Sequence, residues 1–280
     1  MNAIDIATAM IARTLAQVFN PLMIVGIAGA QGSGKSTLAA AIKTRMNNAH
    51  VPTALLSIDD LYLTKAERTA LARDVHPLLR TRGVPGTHDI GLGVEVISAL
   101  ERGVAAALPR FDKGSDDRLP QAQWDHAPTG TRLLLLEGWC VGARAQSIDA
   151  LEAPINTLER DEDADGHWRH FVNATLAGPY QRLFDRIDCL VFLAAPDFSV
   201  VHRWRSEQEE PLRAAGKGMD DAALSRFLQH YERITRHMLD HMRAQADLLI
   251  ELDAARAVVK ARETGATSPV PRHDPGRPAR

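Results

Sequence analysis

The stretch Leu22-Met-Ile-Val-Gly-Ile-Ala-Gly29-Ala-Gln-Gly-Ser-Gly34-Lys35-Ser36-Thr37 decides the fold. A short apolar run ends in the pattern G-x-x-x-x-G-K-S, and an Ala/Leu-rich segment follows over residues 38–46. This reads as a buried strand, a glycine turn and a helix. Glycines adopt backbone torsions that a side chain forbids, so consecutive N–H groups can curl around phosphate oxygens. The residues of that cradle are Gly29, Ala30, Gln31, Gly32, Ser33, Gly34, Lys35, Ser36 and Thr37. Lys35 brings a point charge to the outer phosphates, and the Ser36 hydroxyl is placed to ligate Mg²⁺. The helix starting near Gly34 turns its positive dipole end toward the same anion. The stretch predicts a site for a nucleoside triphosphate.

Working outward, Ile4, Ala7, Ile11, Leu15 and Val18 recur at helical spacing and predict an amphipathic helix over 3–19, ending before Asn20-Pro21. Thr53-Ala-Leu-Leu-Ser57, Thr131-Arg-Leu-Leu-Leu-Leu136, Ile187-Asp-Cys-Leu-Val-Phe-Leu193 and Leu248-Leu-Ile-Glu-Leu252 are apolar runs of strand length, the last closing the series. Helices are expected over 94–100, over 168–184 and after Asp197. Another follows the apolar stripe of Leu224, Leu228, Tyr231, Ile234 and Met238. The polar, Pro/Gly-containing segments 63–89 and 109–130 read as long ordered loops, and 144–166 as a surface excursion. Strands alternating with helices predict an α/β fold, a parallel sheet with helices on both faces. Residues 1–264 read as one domain with a lid region at about 197–220, and the Pro/Arg/Ser-rich 265–280 as a disordered tail.

The formal net charge of −2 gives no global basic field, which argues against a nucleic-acid partner. No apolar stretch approaches membrane-spanning length. The start of the chain lacks a basic segment followed by a continuous apolar one, so no signal peptide is expected. Cys140 and Cys189 fit no metal spacing and read as buried free thiols in a reducing compartment. Together these features predict a cytoplasmic protein.

Parallel sheets bind ligands at the carboxyl ends of their strands, and the reactive residues fall there. Asp59, in Ser57-Ile-Asp-Asp60-Leu-Tyr62, can accept the proton of an attacking hydroxyl or hold Mg²⁺ through water; a turn closing the strand fits it too. Asp60 and Tyr62 on the same segment are candidates for contact with the acceptor. Glu137 ends the four-leucine strand and suits the Mg²⁺ water shell opposite Ser36. Arg82-Gly-Val-Pro-Gly-Thr-His88-Asp89 can present Arg82, His88 and Asp89 to a small polar substrate; equally, Thr87 or Asp89 can cap the next helix. Arg110, Lys113 and Arg118 supply further cations for an anionic group. Arg203 and Arg205, on a mobile helix, can close over the γ-phosphate; they point in different directions, so only one reaches it. His237 and His241 lack a third ligand and read as solvated-face histidines.

Taken together, Gly29-Ala-Gln-Gly-Ser-Gly-Lys-Ser-Thr37, Ser57-Ile-Asp-Asp-Leu-Tyr-Leu-Thr64, Arg82-Gly-Val-Pro-Gly-Thr-His-Asp89, Arg110-Phe-Asp-Lys113, Glu137-Gly-Trp-Cys-Val-Gly142, Trp204-Arg-Ser-Glu-Gln-Glu209 and His230-Tyr-Glu-Arg-Ile-Thr-Arg236 resemble the D-glycerate 3-kinase family. That family stands with pantothenate kinase, uridine kinase and phosphoribulokinase among the P-loop small-molecule kinases. The resemblance covers residues 22–252. It implies a P-loop NTPase-type sheet in which another strand lies between the first two in sequence. It also implies ATP and Mg²⁺ as cofactors and D-glycerate as the small-molecule substrate, phosphorylated to 3-phosphoglycerate. Asp59 occupies the position of the family's catalytic base; Lys35 and one of Arg203 and Arg205 are the catalytic cations expected from the reading above. Rival readings are the same chemistry on pantothenate or a nucleoside, and a nucleotide-dependent switch protein. Sparse aromatics near the acceptor loops argue against a nucleobase, and the absence of N-K-x-D argues against a guanine-reading switch.

Overall fold

Met23–Gly29 forms strand β1, seven consecutive residues all withdrawn from solvent. A strand that reads apolar at every position is one covered on both faces. The computed structural model describes residues 2–214, 216 and 218–264. The tail expected at 265–280 lies outside the described residues.

In chain order the further strands are β2 (Thr53–Ser57), β3 (Ala106–Leu108), β4 (Phe111–Asp112), β5 (Asp117–Arg118), β6 (Asp125–Ala127), β7 (Leu133–Gly138), β8 (Cys189–Ala194), β9 (Leu248–Leu252) and β10 (Val258–Glu263). The main sheet has the order β10-β9-β8-β1-β7-β2. Its pairings are parallel except that of β10 with β9. β7 thus lies between β1 and β2, the insertion that the family resemblance implies. Residues of β1, β7, β8 and β9 form one contiguous apolar core with those of the surrounding helices.

Those helices are α1 (Ala3–Leu15), α2 (Lys35–Asn48), α3 (Lys65–Asp74), α4 (Ile90–Glu101), α5 (Thr157–Glu162), α6 (His167–Ala177), α7 (Pro179–Phe184), α8 (Ser199–Ala214) and α9 (Asp221–Gln245). α1 stops short of the expected 19, because the chain must turn ahead of β1, and Phe19 is left fully exposed. The expected loop 63–89 instead contains α3. Thr64 accepts from the Glu67 N–H while the Glu67 carboxylate accepts from the Thr64 N–H, a reciprocal cap worth about 1 kcal/mol. The helix expected over 168–184 breaks at Gly178, since Pro179 has no N–H to continue the ladder and begins α7 instead. The excursion 144–166 contains α5, capped by Asn156. The run ending at Leu252 is not the last strand. β10 returns antiparallel to it as a largely exposed edge, so it carries no apolar pattern.

Candidate active site

Strand register gathers the site. Glu137 lies opposite Ile27 of β1 on one side and opposite Ser57 of β2 on the other. Because these strands are parallel, the phosphate loop, Glu137 and the segment after Ser57 all leave the sheet at the same edge. The strand order also reverses beside β1, since α2 leads to β2 on one side while β8 lies on the other. Open sheets bind their ligands at such a switch point.

In the phosphate loop Gly32 and Gly34 take left-handed torsions, φ 79° and 88°. A Cβ at Gly34 would meet open space, whereas one at Gly32 would lie 2.6 Å from the Trp204 Cβ. Gly34 is the N-cap of α2, with no side chain to occupy the N–H groups of its first turn. Ser36 Oγ donates to Glu137 Oε1 at 3.1 Å. Glu137 is buried, and its Oε2 has no hydrogen-bond partner among the described residues. A sheltered carboxylate oxygen beside a hydroxyl fits Mg²⁺, which takes one or two protein oxygens and completes its shell from water and phosphate.

Asp59 sits in a 3₁₀ turn over Ile58–Leu61, its N–H donating to Ser57 Oγ. Its Oδ2 accepts from Lys113 Nζ at 2.7 Å and its Oδ1 from the Tyr62 hydroxyl at 2.9 Å. Burial alone would raise this carboxyl, but Lys113 and then Lys35 outweigh it and hold Asp59 at about 2. His88 stacks on Tyr62, ring centroids 4.5 Å apart, with Nδ1 2.5 Å from the Tyr180 hydroxyl. Its Nε2 has no partner among the described residues, and burial lowers the imidazole to about 4. Arg82 pairs with Asp116 and lies over the Phe111 ring, 5.5 Å from the centroid. Phe111 in turn packs edge-on against Tyr62. Asp59, Tyr62, Arg82, His88 and Lys113 are thereby joined on one side of the candidate site.

Other predicted residues brace that side. Asp60 accepts from Arg110 at 2.8 Å and from the Phe111 N–H at 3.1 Å, which ties residues 110–111 to the end of β2. Asp89 caps α4 through the Leu92 N–H and accepts from Arg118 at 3.2 Å. Arg118 also donates to the Tyr62 carbonyl. The capping alternative for Asp89 is thus the one seen. The two arginines of α8 diverge. Arg203 donates to the Ala254 carbonyl beyond β9, whereas Arg205 pairs with buried Glu209 and lies over Phe227. The charge of Arg205 reaches Tyr231, whose hydroxyl donates to the Arg82 carbonyl.

Three residues of this arrangement escaped the sequence reading. Tyr180 and Tyr231 are members of apolar helical stripes, and only their hydroxyls carry the polar role. Arg256 lies on the β9–β10 turn with φ 68°. It donates from Nε to the Gly32 carbonyl at 2.7 Å, pairs with Glu207 at 2.6 Å and lies over the Trp204 ring. Trp204 also donates to the Ala254 carbonyl at 2.9 Å, so this turn fastens α8 to the phosphate loop. No periodicity marks an isolated arginine on an exposed turn.

The "Phosphoribulokinase / Uridine kinase family" model matches residues 24–153. The uncharacterized kinase mug58 of Schizosaccharomyces pombe is 38% identical over 219 residues, covering 74% of this chain and 78% of that protein. The chain belongs to the phosphoribulokinase/uridine kinase family of P-loop kinases. Within the family, the chloroplastic D-glycerate 3-kinase of Arabidopsis thaliana is 32% identical over 75% of this chain and 46% of its own length. The solved D-glycerate 3-kinase of Cryptococcus neoformans superposes with TM-score 0.78 at 26% identity, covering 93% of this chain and 99% of that one. The mostly parallel sheet with its surrounding helices is the fold of these kinases.

Proposed function

We propose that this protein is an ATP-dependent kinase that phosphorylates the 3-hydroxyl of D-glycerate, giving 3-phosphoglycerate and ADP. The observation that carries this reading is the junction of two half-sites. The Ser36–Glu137 pair lies on the phosphate side, and Asp59 with Lys113, Arg82 and His88 lies on the other. The likeness to two D-glycerate 3-kinases supports the choice of acceptor.

Lys35 and the amides of the phosphate loop hold the outer phosphates of ATP. Ser36 and Glu137 hold Mg²⁺, which neutralises charge on the phosphate oxygens when bound. Asp59 accepts the hydrogen bond of the acceptor hydroxyl and aims the oxygen lone pair at the γ-phosphorus. The new O–P bond forms as the bridging P–O bond to ADP breaks, and the hydroxyl proton passes to Asp59. A carboxylate near 2 is a weak base, which suits a loose transition state in which positioning outweighs early proton removal. Lys113 and Arg82 meet the glycerate carboxylate, and Arg205 neutralises the transferring group. The partner of the reaction is a small molecule, with no nucleic acid or membrane. A cytoplasmic setting suits the buried thiols of Cys140 and Cys189, and no helix among the described residues is long and apolar enough to cross a membrane.

The test is an ADP-release assay with D-glycerate, pantothenate and uridine as acceptors, and NMR of the product. Phosphorus coupled to the C3 protons of glycerate is expected. Turnover with pantothenate or uridine exceeding that with glycerate, or ADP release independent of any acceptor, would overturn the proposal.

A further inference from the structure

Tyr180 is fully buried, and its oxygen accepts from the Gly86 N–H at 3.1 Å. A phenol has one hydrogen to give, and the one acceptor it meets among the described residues is His88 Nδ1 at 2.5 Å. If Nδ1 carried the proton instead, the tyrosine hydrogen would be buried without an acceptor. The His88 ring is neutral near pH 7, so its single proton must then reside on Nε2. That nitrogen is buried and has no hydrogen-bond partner among the described residues. It belongs to a ring stacked on Tyr62, the residue that hydrogen-bonds Asp59. Buried donors find partners in native states, so an unpartnered one beside the Tyr62–Asp59 pair points to a ligand oxygen.

We infer that Tyr180 is a positioning residue. Its hydroxyl fixes His88 in the Nε2–H form, so that the ring donates a hydrogen bond to an oxygen of the acceptor beside Asp59. The substrate part of this inference rests on the acceptor-kinase reading above; the tautomer part does not. The Tyr62 stack keeps the ring from turning, and the Gly86–Tyr180 bond ties the donor to the Arg82–Asp89 turn. The arrangement selects an acceptor that offers an oxygen lone pair at that point. A deoxy or ammonium analogue, with no lone pair at that point, could not accept there.

The experiment is ¹H–¹⁵N correlation of ring-labelled histidines in the intact protein, with steady-state kinetics. In the wild type, His88 is expected to show a bare Nδ1 and a protonated Nε2. Tyr180→Phe should move it to a tautomer mixture and raise KM for D-glycerate about tenfold, with KM for ATP unchanged. His88→Gln, which keeps an N–H donor, should retain more glycerate affinity than His88→Ala. A protonated Nδ1 in the wild type overturns the inference, and that spectrum needs no variant to fold. An unaltered tautomer and unaltered glycerate KM in a folded Tyr180→Phe protein overturn it too. If the wild type shows the Nε2–H form but does not phosphorylate glycerate, the tautomer assignment stands and the acceptor reading fails.

Discussion

Lys113 Nζ lies 2.7 Å from Asp59 Oδ2, and this contact opposes the burial that would otherwise protonate Asp59. In the proposed mechanism Asp59 acts as an anion, so its pKa sets the acid limb of the kcat/KM profile. Replacing Lys113 by Met removes the leading stabiliser of that anion and leaves burial to act. The acid limb should move to higher pH, which a pH–rate profile measures directly. Because the folded value lies below the ordinary 3.8, the pair's contribution to stability is present above that value and is lost as pH falls toward 2.

Asp59→Asn keeps the size and the Tyr62 contact but cannot take the proton. It should lower kcat by about 10²–10⁴-fold while leaving the melting temperature within a few degrees. Circular dichroism and initial rates together decide this.

Glu137→Gln removes the charge from the carboxylate that accepts from Ser36. The Mg²⁺ concentration for half-maximal rate should rise about 10–100-fold, with KM for the acceptor little changed. A magnesium titration at saturating ATP checks it.

Arg256→Ala unties the β9–β10 turn from Gly32, Glu207 and Trp204. KM for ATP should rise about tenfold, and Arg256→Lys should recover part of the loss, because one of the contacts survives. Nucleotide binding by calorimetry separates this from an effect on the acceptor.

His88 and His230 are both held near 4 by burial, against an ordinary 6.5. The unfolded chain therefore binds more protons between those values, and stability falls as pH drops from about 7 to 5. The cost is about 1–2 kcal/mol for each histidine. Denaturant midpoints across that range should show the slope, and His230→Gln should flatten it.

Particular residues explain how far the sequence could be read. The four leucines of β7 and the glycines before Lys35 announce themselves, because burial on both faces and left-handed torsions each demand a narrow choice of residue. Asp59 and Glu137 were legible as chain positions immediately after apolar strands. The division of labour among Asp60, Asp89 and Arg118 was not, since an aspartate that caps a helix and one that meets a substrate look alike along the chain. α3 was signalled by Thr64 and Glu67 but masked by the prolines and glycines downstream. Tyr180 and Arg256 act through contacts 94 and 224 positions away, to Gly86 and Gly32, and no local pattern encodes such distances.

The tight approach of Gly32 to Trp204 bears on how the cation proposed for the transferring group arrives. Wedged against the loop and bolted at Ala254, the backbone next to Arg205 is fastened to the phosphate loop rather than hung as a separate flap. In the proposed mechanism Arg205 therefore reaches the transferring group by a rotamer change, its guanidinium letting go of Glu209 while the helix stays still.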